Sequence, residues 1–332
     1  MCRWTKKAAG QNVLRFGTLN VRGIRTNTQQ KQLADDMAKY KLVKLHMLTI
    51  QETHINITSS DGKHSYDLLH VGETNNSHHG VVTSKSLVSQ FSKISDRSCK
   101  STVKMNVGNN KTRDLTFISI YAPTQVKSEQ NSEIRDKYYM DLNTEINTNI
   151  SNSSLLVIGG DFNAKMGSAW KDHPENMGAF GKGEVNSNGE ALLEMAKNQE
   201  LILSNTLLYH KMAHRTTWTC PQRIDDHKDK HGQIRRNPYR NQIDYILVRT
   251  KHKQMIQNSR SYSGINTNTD HRLVITTIKL EWFKIYNSKQ EIERHNTHKL
   301  SGEASCKEAY QTTITEKYEL ANDDANISAQ PQ

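Results

Sequence analysis

The chain has 332 residues, 34% of them hydrophobic, with 45 Lys and Arg against 34 Asp and Glu, for a net charge of +11. That much apolar material suffices for one large core or two ordinary ones. No run approaches the ~18 apolar residues of a membrane helix, and the basic start, Met1 to Gln11, lacks the apolar segment of a secretory signal.

Cys2, Cys99, Cys220 and Cys306 are scattered with no Cys-x-x-Cys pair, a pattern of reduced thiols in an intracellular protein. The charge divides unevenly. From Glu281 to Gln332 nine acids meet six bases, so the stretch carries −3 and residues 1–280 carry +14. A body this basic suits a polyanionic partner, with nucleic acid the commonest, and equally a basic solubilising surface.

In chain order, apolar β-branched runs of strand length are Val13–Leu19, Leu45–Ile50, Tyr66–Val71, Gly80–Thr83, Leu115–Tyr121, Leu155–Gly159, Leu201–Ser204, Ile243–Val248 and Arg272–Leu280. Helical periodicity appears over Gln29–Tyr40, over Glu129–Thr148 with Ile134, Tyr138, Leu142 and Ile146 at steps of four, and over Asn188–Glu200. Strands and helices interleave without strict alternation, which favours a mixed-sheet α/β domain. Arg223–Asn241 is almost wholly polar and reads as a long surface loop. Beyond Tyr286 the composition predicts a frayed helix or disordered tail. The expected organisation is a basic segment over 1–12, one domain over 13–280 and a polar tail over 281–332.

The chemistry gathers at strand ends. The runs finish in Asn20, in Gln51-Glu52, in Tyr121-Ala122-Pro123 and in Gly159-Gly160-Asp161-Phe162-Asn163, while Ile243-Asp244-Tyr245 and Asp270-His271 flank the last two. One such residue is ordinarily a turn or cap; six at strands that share a sheet are hard to explain that way. Glu52 and Asp270 are hard oxygen ligands suited to Mg²⁺. Asp161 has the chemistry to orient or deprotonate a water, and Asn163 to donate a hydrogen bond. His271 with Asp244 makes an Asp–His pair that favours imidazolium near a phosphate oxygen. Together they equip metal-assisted phosphodiester hydrolysis; the sequence holds no Walker-type loop.

The ordered series Asn20, Gln51-Glu52, Tyr121-x-Pro123, Gly160-Asp161-x-Asn163, Ile243-Asp244-Tyr245 and Asp270-His271 resembles the endonuclease/exonuclease/phosphatase superfamily across roughly Val13 to Lys279. The segments Asn186-Ser187-Asn188-Gly189-Glu190, Ile202-Leu203-Ser204-Asn205-Thr206, Thr217-Trp218-Thr219 and Asn241-Gln242-Ile243-Asp244-Tyr245-Ile246-Leu247 are similar to endonucleases of non-LTR (LINE-type) retrotransposons and to craniofacial development protein 2-like sequences. The resemblance implies an α/β four-layer sandwich of two mixed β-sheets flanked by helices. It implies that Glu52 binds Mg²⁺ (Mn²⁺ as a substitute), with Asn20 and Asp270 in or beside the shell. Tyr121 would lie near the scissile phosphate, Asp161 prepare the attacking water and Asn163 hold the transition state. His271, oriented by Asp244, would meet a non-bridging oxygen. The activity implied is that of a nicking DNA endonuclease leaving 3′-hydroxyl and 5′-phosphate ends. The partner would be double-stranded DNA held by its backbone, with a nuclear location and neither a membrane nor an obligate protein partner indicated. An abasic-site endonuclease, an RNA deadenylase, an inositol phosphatase and an inactive nucleic-acid-binding remnant stay open as alternatives.

The sequence departs from the family in a short Gly80–Thr83 segment and in the length of Arg223–Asn241. Trp218 reads as sheet core ahead of a DNA-facing ring. His210, His214, Cys220, His227 and His231 read as solvated residues ahead of a zinc site. Arg235, Arg236 and Arg240 read equally as phosphate contacts and as part of a solvated loop.

Overall fold

The computed structural model describes residues 13–39, 46–54, 66–71, 79–84, 90–108, 111–124, 129–228, 234–265 and 267–280. These fall within the first of two compact units, Met1–Tyr286. The segments expected at 1–12 and 281–332 lie outside the described residues.

Two six-stranded sheets carry the fold. The first combines β1 (Val13–Asn20), β2 (Met47–Gln51), β3 (Tyr66–Val71), β4 (His79–Ser84), β13 (Ile256–Tyr262) and β14 (Leu273–Lys279) in the order β13-β14-β1-β2-β4-β3. The second combines β5 (Gln90–Ser95), β6 (Ser98–Gly108), β7 (Lys111–Tyr121), β8 (Leu155–Asp161), β9 (Leu201–Leu203) and β12 (Asp244–Arg249) in the order β5-β6-β7-β8-β12-β9. Each sheet has a single parallel pair at its centre, β1 with β2 and β7 with β8, and its other pairings are antiparallel. A separate hairpin joins β10 (Trp218–Lys228) to β11 (Ile234–Asn241).

Period-two alternation sorts the side chains into layers. Leu14, Phe16, Leu115, Phe117, Leu155, Val157, Ile246 and Val248 pack between the sheets. Leu156, Ile158, Tyr245 and Leu247 face outward to α2 (Glu129–Asn149) and α3 (Ser187–Asn198). Leu19, Leu48, Ile50 and Ile275 meet Leu33 of α1 (Asn27–Lys39) on the other outer face. Helix, sheet, sheet and helix make the four-layer sandwich. Strands covered on both faces read as unbroken apolar runs, and β8 is buried at every residue.

The inter-sheet face changes character along its length. It passes from Leu14 and Phe16 to Thr18 and Asn20 on β1, from Leu115 and Phe117 to Ser119 and Tyr121 on β7, and from Leu155 and Val157 to Gly159 and Asp161 on β8. β2 and β12 follow suit with Met47, Thr49, Gln51 and Val248, Ile246, Asp244. Hydrogen bonds replace oil toward the polar end: Thr18 Oγ1 donates to Gln51 Oε1 at 3.3 Å and Gln51 Nε2 to Ser119 Oγ at 3.2 Å. Gly159 permits this close approach, since a β-carbon there would stand 2.8 Å from Thr49 Oγ1 and 3.3 Å from Thr18 Cβ.

The structure corrects several expectations. Arg223–Asn241 is no long loop: residues 223–228 and 234–241 lie on β10 and β11, whose backbone groups pair from Ile224 with Pro238 to Lys228 with Ile234. Polar composition concealed the strands. The Gly80–Thr83 segment belongs to the six-residue β4, paired on both edges by β2 and β3. β5, β6 and β13 had no apolar run to announce them; β5 has no buried residue. On α2, Tyr138, Leu142 and Ile146 are buried but Ile134 is 47% exposed, because strict steps of four drift around a helix of 3.6 residues per turn. Among the described residues no helix is long and apolar enough to cross a membrane.

Candidate active site

The strands β1, β2, β7 and β8 all end at the polar end of the sandwich, and β12 and β14, antiparallel to their neighbours, begin there. Residues far apart in sequence therefore meet. Asn20 bridges the sheets: its Nδ2 donates to Glu52 Oε1 at 2.7 Å and to Asp161 Oδ2 at 3.0 Å. Asp244 lies directly opposite Asp161 in the β12–β8 ladder. His271 Nδ1 lies 3.1 Å from both Asp244 carboxylate oxygens, and its Nε2 faces Asp161 Oδ2 at 3.7 Å and Asp270 Oδ1 at 3.9 Å. Tyr121 lies beside the Glu52 charge and has the Arg97 guanidinium 5.4 Å from its ring centroid. Asn163 spends one amide N–H on Ala122 O at 2.9 Å, and its backbone N–H donates to Asp161 Oδ1 at 2.9 Å.

Backbone strain concentrates here. Arg22, Glu52, His54 and Asn163 adopt φ values of 48°, 50°, 51° and 49°, a region that costs side-chain-bearing residues energy and collects at functional sites. At Glu52 and Asn163 the left-handed residue directly follows, or lies just beyond, a strand end, turning its side chain back across the site.

Burial opposes a charged imidazole at His271, but the surrounding Asp244, Asp161 and Asp270 outweigh it and raise its pKa to about 9. Burial, with Asp244 beside it, pushes Asp161 up to about 7 in spite of the His271 charge. Burial also raises the Tyr121 phenol, helped by Glu52 and Asp161, so it remains a proton donor at neutral pH. The protons of Asp161 and His271 belong to one interacting set.

Two groups of side chains have the chemistry to hold a cation. Carboxylate and imidazole atoms of Asp161, Asp244 and His271 lie within 4.8 Å of one another. That trio suits proton handling better, since Nδ1 is engaged by Asp244 and metal ligation needs a neutral ring. Glu52, Asn20 and Asp270 offer only oxygen ligands and amide. Asp270 Oδ1 is buried and has no hydrogen-bond partner, an orphaned anion-bearing atom that a hard cation would satisfy. The donor set fits a divalent ion.

Several positioning residues carried no chemical signal in sequence. Thr217 Oγ1 accepts from the N–H groups of Ile243 (2.9 Å) and Asp244 (3.1 Å), and Asn205 Nδ2 donates to Asp244 O at 3.0 Å. Asn186 caps α3 through Gly189 N–H at 2.9 Å and donates to Asn163 O at 3.0 Å, while Asn188 Nδ2 donates to Pro123 O at 2.8 Å. Their only trace was the family-like wording around 186–190, 204–206 and 217–219. Trp218 is not sheet core: it is half-buried and its indole N–H donates to Asp270 Oδ2 at 3.0 Å. Arg240 is exposed on β11; the side chains of Arg235 and Arg236 lie outside the described ones.

Two mixed sheets with acids, amides and one imidazole at their shared strand ends define an α/β phosphoesterase-type sandwich. The chain belongs to the Endonuclease/Exonuclease/phosphatase family, whose model matches residues 17–254. It is 33% identical to Craniofacial development protein 2 of Bos taurus over 170 residues, which are 51% of this chain and 25% of that protein. The match thus spans about a quarter of the relative's length. The fold is similar to the endonuclease domain of TRAS1, a telomere-specific non-LTR retrotransposon, with TM-score 0.53 and 14% identity over 81% of this chain and 99% of that one. It is also similar to a 3′-5′ exonuclease from Neisseria meningitidis, with TM-score 0.58 and 14% identity over 80% of this chain and all of that one.

Proposed function

We propose that the protein is a divalent-metal-dependent DNA endonuclease that nicks a phosphodiester backbone and leaves 3′-hydroxyl and 5′-phosphate ends. The carrying observation is the convergence of Asn20, Asp161, Asp244, Asp270 and His271 at one end of the sandwich, within a body of charge +14. Glu52, Asp161, Asp244 and Asp270 outnumber Arg22 and His271 there, so an unaided phosphate would be repelled. Glu52, Asn20 and Asp270 would hold Mg²⁺, or Mn²⁺ in its place. A bound divalent ion would supply Lewis-acid charge to the phosphate. Asp161 would accept the proton of the attacking water, while the Asn163 amide helps to hold the pentacoordinate phosphorus. His271, kept as imidazolium by Asp244, would donate a charged hydrogen bond to a non-bridging oxygen. Tyr121 would pack its phenol near the same phosphate. The likeness to a retrotransposon endonuclease supports DNA as substrate and a nuclear place of action.

Nicking of supercoiled plasmid with Mg²⁺ tests the reading. Wild type should nick, and Glu52→Ala and Asp161→Ala should fall by about a thousandfold or more, the scale of losing a catalytic group. Equal nicking by all three would refute it.

A further inference from the structure

Arg22 has no part in the residue set above, yet it reaches the middle of it. Its backbone is left-handed at φ 48°, and its N–H donates to Asn20 Oδ1 at 3.1 Å. This turn brings Nη1 to 2.7 Å from Asp270 Oδ2, and the Glu52 charge also acts on the guanidinium. The Arg22 side chain is 50% exposed where that of Asp270 is 11% exposed, so the guanidinium covers the acids from the solvent side. Trp218 Nε1 shares the same Asp270 oxygen at 3.0 Å. Of the two carboxylates best suited to a divalent ion, Asp270 is thus already paired with a cation belonging to the chain, and Glu52 feels the same charge.

We propose that Arg22 competes with the divalent ion for Glu52 and Asp270, and that metal binding and the seating of a phosphate diester are coupled through its release. The inference rests on the metal reading above. Like charges repel at such separations, so the ion must displace the guanidinium or bind more weakly beside it. A displaced Arg22, half-exposed and forked, is suited to a phosphate oxygen pair. A diester that draws Arg22 outward frees the carboxylates, so each ligand strengthens the other by the same factor.

The test is Mn²⁺ binding by electron paramagnetic resonance on the full chain, for wild type, Arg22→Gln and Arg22→Lys. Without DNA, Arg22→Gln should bind Mn²⁺ about three- to tenfold more tightly than wild type, the range expected for losing a part-exposed charge pair. Arg22→Lys, which keeps the charge, should stay near wild type. In an Asp161→Asn background that blocks cleavage, a short duplex should tighten Mn²⁺ binding more when Arg22 is present than when Gln replaces it. Equal or weaker Mn²⁺ affinity in Arg22→Gln overturns the inference and leaves the metal reading standing. No Mn²⁺ binding by any of the proteins removes both. Nitrogen-15 spectra of the wild-type arginine side chains give a check free of substitution: Mg²⁺ should shift the Arg22 guanidinium signal and hasten its solvent exchange. An unmoved signal at saturating Mg²⁺ overturns the inference.

Discussion

Replacing Asp244 with Asn isolates the electrostatic part of the site, because the amide keeps the shape and deletes the charge. Asp244 is fully buried, and both of its oxygens lie 3.1 Å from His271 Nδ1. Burial lowers the His271 pKa, but Asp244 foremost, then Asp161 and Asp270, carries it from 6.5 to about 9. That lift of about 2.5 pH units corresponds to roughly 3 kcal/mol in favour of the imidazolium. With Asp244 neutral, burial regains the upper hand and the pKa should drop toward 6.5 or below. The amide can also turn an N–H toward Nδ1 and reverse the tautomer. In wild type, kcat/KM should rise with pH as Asp161 ionises near 7 and fall as His271 loses its proton near 9. Asp244→Asn should move the alkaline limb down by about two pH units, an approximately hundredfold loss on that side that acidification partly restores. Stability carries the same signature. A raised imidazole pKa stabilises the fold fully below 6.5, and this support is lost as pH rises through 9. The variant should lose that dependence. The checks are a kcat/KM profile for nicking and an NMR titration of the imidazole; an alkaline limb that stays in place in Asp244→Asn would refute the reasoning.

Gly160→Ala would set a β-carbon 2.0 Å from Ile120 O and 2.9 Å from Ile120 Cβ on the partner strand. Forcing β7 and β8 apart should cost about 2–3 kcal/mol in chemical denaturation, and an unchanged midpoint would show that the strands yield freely. Asp270→Ala should abolish turnover in the nicking assay, and turnover near that of wild type would remove Asp270 from the proposed metal set. Replacing Arg235, Arg236 and Arg240 of the β10–β11 hairpin by Ala should weaken DNA binding and flatten its salt dependence, by about 0.9 in slope for each phosphate no longer neutralised. A slope equal to wild type would place the DNA footprint elsewhere.

The strands and acids that proved legible in the sequence share one physical cause. β1, β2, β7, β8, β12 and β14 are covered on both faces or nearly so, and such strands must be apolar along their length, so the polar residue that ends each run stands out. What the sequence concealed lies at the margins. β5 satisfies its backbone by pairing while burying nothing, and the buried residues of β6 and β13 are mostly Ser, which leaves composition silent about them. The four-residue spacing on α2 overstated its buried face at Ile134. Arg22 is inconspicuous because an arginine close to an asparagine is ordinary in sequence. Only the left-handed backbone at Arg22 brings it to Asp270. Asn188, Asn205 and Thr217 act on main-chain groups, and such roles leave no pattern of charge or spacing.

The mirrored build of the two sheets places half of the proposed catalytic equipment on each. Asn20 and Glu52, with Asp270 and His271 just ahead of β14, come from one sheet, while Tyr121, Asp161 and Asp244 come from the other. The separation between the proposed cation ligands and Asp161 is therefore a distance between layers, set by the Thr18–Gln51–Ser119 hydrogen bonds and the Gly159 approach. Sliding one layer on the other by a fraction of an ångström would detune the reaction long before it unmade the fold. Substitutions at those four buried positions belong among the adjustments by which such a scaffold can alter the spacing between its two halves.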